Sequence, residues 1–322
     1  MSTARRQLLA LGALLPLAAT LRAQARPEQL RMLVPYAPGG AADTLARALA
    51  ERLGAADGGV PVLVDNRPGG GTVIASQAAV TAPADGRTLL LVGASFLVQP
   101  HLLIKPPYDA RRDFEPVLLC ASNPHLLAVH PSVPAANLRE FIAWAKAHAD
   151  KAAYASFGRG SSGHLGFELL KKQAGFDMLH VPYKGGAPAL QALLSGDVSA
   201  MLTDLPQALP FVRSGKLKAI AVGSAQRDAS LPEVRTVSES GVAGFVSESW
   251  FGFVVRKGTP KGRLDPLHAA LAAALDAPAV KAGMDAIGLR RMGGTAERFA
   301  AYLEREASRL VEALRFARVE PE

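Results

Sequence analysis

Two glycine-rich stretches hold the residues best placed for chemistry. The first runs Pro35-Tyr36-Ala37-Pro38-Gly39-Gly40-Ala41-Ala42-Asp43, between the apolar Leu33-Val34 and an amphipathic segment from Thr44 to Leu53. Gly39 and Gly40 let the backbone come close to a bound group, and Asp43 is placed to cap a helix whose first N–H groups have no partner inside it. A helix N-terminus carries partial positive charge, so such a turn suits a carboxylate or phosphate held by main chain. Taken alone it reads equally well as a tight strand-to-helix connection without a ligand. The second stretch is Gly158-Arg159-Gly160-Ser161-Ser162-Gly163, after Tyr154-Ala155-Ser156 and before a helical pattern from His164 to Ala174. Its G-x-G-x-x-G spacing matches a dinucleotide fingerprint on paper. The next strand, Met178 to Tyr183, ends in Lys184 instead of the acidic residue that takes a ribose hydroxyl. A small-anion turn fits better, with the hydroxyls of Ser161 and Ser162 beside main-chain N–H groups; Lys184 reads as a solvated lysine.

Catalytic constellations are missing from the sequence. It contains no His-Glu-x-x-His, Gly-x-Ser-x-Gly or Cys-x-x-Cys. His101, His125, His130, His148, His180 and His268 are scattered, and His164 alone lies on a glycine-rich turn. Nothing near it in sequence completes a set of nucleophile, base and orienting group. Binding, rather than turnover, is the function these residues suggest.

The elements that must position the two turns follow from the apolar runs. Short strands without alternation, at Arg31 to Val34, Val62 to Val64 and Thr88 to Val92, each lead into a helical segment, which indicates a parallel sheet covered on both faces. Such sheets bind ligands at the carboxyl ends of their strands. Past Phe114 two apolar strands, Pro116–Ala121 and Leu126–Val129, are expected on either side of Ser122-Asn123-Pro124-His125, and then the strand–turn–helix logic restarts. At 322 residues, with 49% apolar and 6% aromatic content, the chain is long for one core and reads as two α/β lobes. Lobe one is expected over residues 26–123 plus about 226–322, and lobe two over 124–225. Two extended crossings would then make a hinge and a cleft, and closure about a hinge is one way to bury a ligand.

The N-terminus has its own signature. Arg5-Arg6, the apolar run Leu8 to Leu21 and Ala23-Gln24-Ala25 read as a secretory signal peptide over residues 1–25, with a loose twin-arginine pattern, so the Sec and twin-arginine routes stay open. The run is shorter than the roughly 20 residues a membrane span needs. Cys120 is the single cysteine and reads as a buried core thiol. Net charge is +8, with Arg5, Arg6 and Arg22 in the leader, so the remaining excess is modest, and no basic run suggests nucleic acid.

A further set of motifs appears in order: Pro35-Tyr36-Ala37-Pro38-Gly39-Gly40 with Asp43, Asn66-Arg67-Pro68-Gly69-Gly70-Gly71, Pro83-Ala84-Asp85-Gly86-Arg87-Thr88-Leu89-Leu90, His180-Val181-Pro182-Tyr183-Lys184-Gly185, Gly215-Lys216-Leu217-Lys218-Ala219 and Leu231-Pro232-Glu233-Val234. Together they resemble the Bug family, the periplasmic substrate-binding receptors of tripartite tricarboxylate transporters. The resemblance covers essentially the whole mature chain. It implies a type II periplasmic-binding-protein fold, no cofactor, a small carboxylate ligand, and a membrane partner of one large and one small multi-spanning subunit; a monomer is expected. Carried over by position, it nominates Tyr36, Pro38, Gly39, Gly40, Asp43 and Ser95 from lobe one. From lobe two it nominates Ser161, Ser162, His164, Tyr183, Thr203 and Asp204. Asn66 and Arg67 are expected as loop scaffolding. The family's usual Asn-Arg-Pro-Gly-Ala-Gly-Gly is altered at Gly70 and Thr72, and its usual Phe-Asp becomes Thr203-Asp204. Two other functions are compatible with an exported chain of this kind: a ligand sensor feeding a membrane signalling partner, and a dinucleotide-dependent enzyme or hydrolase.

Overall fold

The computed structural model describes residues 29–56 and 61–317. The expected signal peptide lies outside the described residues. The first apolar runs form parallel strands, β1 (Leu30–Val34) between β2 (Val62–Asn66) and β3 (Thr88–Val92). They are followed by α1 (Ala41–Ala56), α2 (Val73–Thr81) and α3 (Ala94–Val98). Parallel pairing requires crossovers, so the turns that leave the three strands collect on one edge of the sheet.

Ser122-Asn123-Pro124-His125 does not separate two strands. It lies inside one, β4 (Phe114–Val129), of 16 residues. The turn-forming composition is overridden because both flanks are paired. Asn123 and Pro124 lie opposite Ser249 and Glu248 of β9 (Glu248–Arg256), and His125 lies opposite Asp204 of β7 (Ala200–Asp204). β4 therefore belongs to both halves of a strand order β2-β1-β3-β9-β4-β7-β5-β6, with β5 (Ala153–Ser156) and β6 (Leu179–Pro182) parallel at the far end. β8 (Lys218–Val222) and β10 (Arg290–Arg291) also pair with β4.

The second half carries α4 (Leu138–Ala147), α5 (Ser162–Ala174), α6 (Gly186–Ser195) and α7 (Leu205–Arg213). After β9 come α8 (Lys261–Asp276), α9 (Pro278–Ala286) and α10 (Ala296–Phe316). Leu231 packs in the core beneath α6 and α7, and Val222 N–H donates to Arg235 O at 3.0 Å, so this segment still covers the second sheet. At Ser247, next to the start of β9, the chain lies against β4, with His125 N–H donating to Ser247 O at 3.2 Å.

Apolar side chains fill both faces of each half. Leu45 and Leu49 of α1 pack with Leu271 and Leu275 of α8 on one face of the first sheet. On the other face Trp250 is 1% exposed and meets Phe299 and Tyr302 of α10 edge-on, at 6.2 and 5.4 Å. Burying a large side chain of this kind contributes about 3 kcal/mol. Gly252 makes room for that helix, since a Cβ there would lie 2.4 Å from Phe299 Cζ. α10 lies against both α3 and α5, so it supports the two halves from one side. Cys120 is buried, and burial holds its thiol pKa far above the ordinary value.

Candidate ligand-binding site

The β1–α1 turn is braced from behind. Asp43 is 3% exposed, and its Oδ2 accepts Gly39 N–H (2.9 Å) and Arg47 Nε–H (3.0 Å). Its Oδ1 accepts Asn66 Nδ2–H at 2.9 Å, and the same Asn66 amide donates to Tyr36 O at 3.1 Å. Asp43 thus caps by gripping the turn upstream of the helix, and Asn66 is scaffolding. Burial pushes the Asp43 pKa up, but the Arg47, Gly39 and Asn66 hydrogen bonds outweigh it and hold the carboxyl below its usual value. Pro38, Gly39 and Gly40 are exposed, Gly39 has φ +89°, and a Cβ at either glycine would meet nothing within 4 Å. The N–H groups of the first turn of α1 have no acceptor within the helix and open onto that space.

The β5–α5 turn is built on the same plan with different chemistry. Ser161 is the N-cap of α5, accepting His164 N–H at 3.4 Å and donating its own hydroxyl to Gly158 O at 2.7 Å. Behind it, His164 Nδ1 accepts Gly160 N–H at 3.1 Å, so a neutral ring carries its proton on Nε2. His164 stacks on His180 at 3.9 Å, His180 on Tyr154 at 5.0 Å and Tyr154 on Phe167 at 3.8 Å. Burial, followed by the charges of Lys171 and Arg159, lowers the His164 pKa to about 4; burial, with His164 next, lowers that of His180 to about 3. His180 Nε2 also meets Ser156 Oγ at 2.7 Å, and that hydroxyl lies on the main chain of Gly158. Gly163 lets the first turn of α5 rest on β7, where a Cβ would lie 2.7 Å from Leu202 O.

The β5–α5 turn meets the first half across a seam. Gly160 has φ +74°, and a Cβ on it would lie 2.9 Å from Leu102 Cδ1 and 3.0 Å from Val98 Cγ1 of the first half. Gln99, 8% exposed, lies over Gly71 of the β2–α2 turn, where a Cβ would be 2.0 Å from its Nε2. Beside it Thr72 has φ +95°, a backbone conformation that costs a β-branched residue about 1–3 kcal/mol.

The floor of the seam is a polar cluster at the crossings. His125 Nδ1 meets Ser247 Oγ (2.8 Å) and its Nε2 meets Ser249 Oγ (3.1 Å) and Ser162 Oγ (3.3 Å). Ser249 Oγ donates to Asp204 Oδ1 at 2.9 Å. Burial lowers the His125 pKa to about 3, with the Arg309 charge acting the same way, and burial raises that of Asp204 to about 6 against the Ser249 hydrogen bond. Opposite, Tyr36 stands edge-on to Phe251 at 6.4 Å. Its hydroxyl lies at Gly93, 3.2 Å from where a Cβ would be. Burial first, then Tyr108 and Asp204, push its pKa well above the usual value.

Of the twelve expected site residues, Tyr36, Ser162 and Asp204 lie at the floor or its walls, Pro38, Gly39, Gly40 and Ser161 lie on the two turns, and Thr203 is buried in β7 opposite Leu126. Ser95 is half-buried in the first turn of α3, and Tyr183 is half-buried with its N–H on Ser156 O at 3.1 Å. Asp43 and His164 are buried and engaged in holding their turns. Residue spacing gave no role to His125, Ser247, Ser249, His180 or Gln99. The side-chain hydrogen bonds of His125, His180, Ser247 and Ser249 and the packing of Gln99 over Gly71 all join residues more than twenty positions apart, and no local pattern marks such pairs. Among the described residues no group of three or more His, Cys, Asp or Glu could hold a metal ion.

Two α/β halves joined by extended crossings, each with a braced helix-opening turn and with a polar cluster at their junction, define a two-lobed solute-binding protein. A family signature described as "Tripartite tricarboxylate transporter family receptor" matches residues 43–314. Protein BugT of Bordetella pertussis is 35% identical over 287 residues, 88% of this chain and 87% of its own length. Among solved structures, R. palustris Rpa4515 with adipate superposes with a TM-score of 0.81 at 32% identity, covering 91% of this chain and 98% of its own. MatC from Rhodopseudomonas palustris, with bound malate, gives 0.77 at 31% identity over 90% of this chain and all of its own, 100%. The chain belongs to the tripartite tricarboxylate transporter receptor family. It is a substrate-binding receptor with the periplasmic-binding-protein fold. Among the described residues no helix is long and apolar enough to cross a membrane.

Proposed function

We propose that this receptor holds a small carboxylate in the seam between the β1–α1 and β5–α5 turns and hands it to the membrane subunits of a tripartite transporter. One observation carries the reading. Each half opens a helix with a turn braced from behind by a buried side chain, Asp43 or His164, and the β1–α1 turn leaves open space at Gly39 and Gly40. Such turns supply N–H donors to an anion without a resident cation. The adipate and malate in related structures support the same ligand class. The lobes divide between residues 123 and 124, and again at Ser247–Ser249, so that Tyr36, Pro38, Gly39, Gly40, Asp43 and Ser95 approach the ligand from one side. Ser161, Ser162, His164, Tyr183, Thr203 and Asp204 approach from the other, with Asp43 and His164 acting through their turns. The working form is a periplasmic monomer without cofactor or catalytic activity, released from residues 1–25 on export. Thermal-shift and calorimetric titration against mono-, di- and tricarboxylates tests the function. A ligand at about 100 times its Kd stabilises the fold by about 2.7 kcal/mol, and absence of any shift across the panel refutes the reading. Gly39→Val should weaken binding, because a branched side chain would enter the open space before α1.

A further inference from the structure

Asp204 is an acid placed where an anion is to be bound. It ends β7 and stands at the N-cap position of α7 without a side-chain capping bond, it is 9% exposed, and Oδ1 accepts from Ser249 Oγ. Oδ2 has no hydrogen-bond partner among the described residues. The groups packed around the carboxylate bring no positive charge. β4 contributes His125, with Nε2 at 3.6 Å and a ring held neutral by burial. β9 contributes Ser249, and α5 contributes Ser162 through the same hydroxyl cluster. The first turn of α7 contributes Leu205 and Pro206, and the β1–α1 turn contributes Tyr36, whose ionisation the Asp204 charge opposes. Glu248, the other acid near the crossing, has Arg290 4.0 Å away. With its pKa at about 6, Asp204 is ionised at neutral pH, and one more negative charge beside it is enough to make it take a proton.

Resting on the carboxylate-receptor reading, we propose that Asp204 reads the end of the ligand remote from the turn-held carboxylate and selects a hydrogen-bond donor there. That donor is a hydroxyl, an ammonium or a carboxyl that keeps its proton. A fully ionised dicarboxylate is accepted only together with a proton, which Asp204 and the second carboxylate share. A site built to accept a hydrogen bond discriminates strongly against a group that cannot give one, because the buried acceptor is then left unpaired.

The test is calorimetric titration near pH 7.5, in two buffers of different ionisation enthalpy. The probes are straight-chain α,ω-dicarboxylates of increasing length and the ω-hydroxy and ω-amino acids of matching length, offered to the wild-type protein and to Asp204→Asn. For the wild type, the best ω-hydroxy or ω-amino acid should bind about tenfold tighter than the dicarboxylate of its length, a gap of about 1.4 kcal/mol. The dicarboxylate should take up close to one proton. Asparagine keeps an acceptor for Ser249, and in this variant the gap should close to about threefold or less and the proton uptake disappear. The proposal is overturned if dicarboxylates bind the wild type as tightly as the donor-bearing acids with no proton exchanged, a result that needs no variant. It also fails if Asp204→Asn changes neither ranking nor uptake. Absence of binding by every probe to both proteins, with a panel of other carboxylates equally inert, would instead overturn the receptor reading itself.

Discussion

Gly160→Ala separates the energetics of the fold from the energetics of lobe closure. The φ of +74° belongs to the left-handed region, which costs an alanine about 1–2 kcal/mol, partly offset by the smaller entropy of its unfolded chain. That cost is the same whether the lobes are apart or together, and a domain this large should register it as a loss of about 2 °C in Tm. The second effect belongs to the closed seam alone. The new methyl would lie 2.9 Å from Leu102 Cδ1 and 3.0 Å from Val98 Cγ1, both on the opposite half, so the neighbours must give by several tenths of an ångström. Overpacking of this kind costs about 1–3 kcal/mol, which is roughly a 5- to 150-fold loss of affinity for a ligand that binds by closing the seam. Calorimetry with the carboxylate that gives the largest thermal shift reads the affinity, and a ligand-free melt reads the fold. A lower Tm with unchanged affinity would refute the reasoning, because it would mean that the ligand-bound state does not bring Gly160 against Val98 and Leu102.

Three other perturbations test the braces and the floor. Replacing Asp43 by Ala strips the acceptor from Gly39 N–H, Arg47 and Asn66 together, and should cost about 1–3 kcal/mol of stability and raise hydrogen exchange at Gly39; unchanged protection of that amide would contradict the bracing role. His164→Phe keeps a ring on His180 but leaves Gly160 N–H without its acceptor, so it should cost about 1 kcal/mol in denaturant melts and lower ligand affinity; full retention of both would show that the hydrogen bond is dispensable. Stability should also fall as pH drops below the ordinary histidine pKa, since the unfolded chain then takes protons that the folded His125, at about 3, and His164, at about 4, refuse. At pH 5 each contributes a loss of about 2 kcal/mol, while Asp204, whose raised pKa makes the folded form the stronger proton acceptor there, returns about 1 kcal/mol. Denaturant melts at pH 7.5 and pH 5 should therefore differ by a few kcal/mol, and equal stability at the two values would refute the buried-neutral assignment.

The sequence by itself determined the local pieces. Glycines before Asp43 and around Ser161 mark strand-to-helix turns because only backbone freedom and a capping side chain open a helix that sharply. The unbroken apolar runs of β1 and β3 announce strands buried on both faces. What only the tertiary structure decided is which atoms those turns can spare. Asp43, legible along the chain as a cap, and His164, legible only as a histidine on a glycine-rich turn, each accept an N–H of their own turn, since a buried polar group must find a partner and the nearest unpaired N–H is in its own loop. The single strand through Ser122-Asn123-Pro124-His125 was likewise invisible locally, because its extended form comes from pairing with β9 and β7, whose residues lie far along the chain. The cluster of His125, Ser162, Asp204 and Ser249 exists only where two crossing strands, a strand end and a helix start meet. No spacing rule encodes that junction, because the distances that make it a site are set by the packing of the two sheets and not by the separation of residues in sequence.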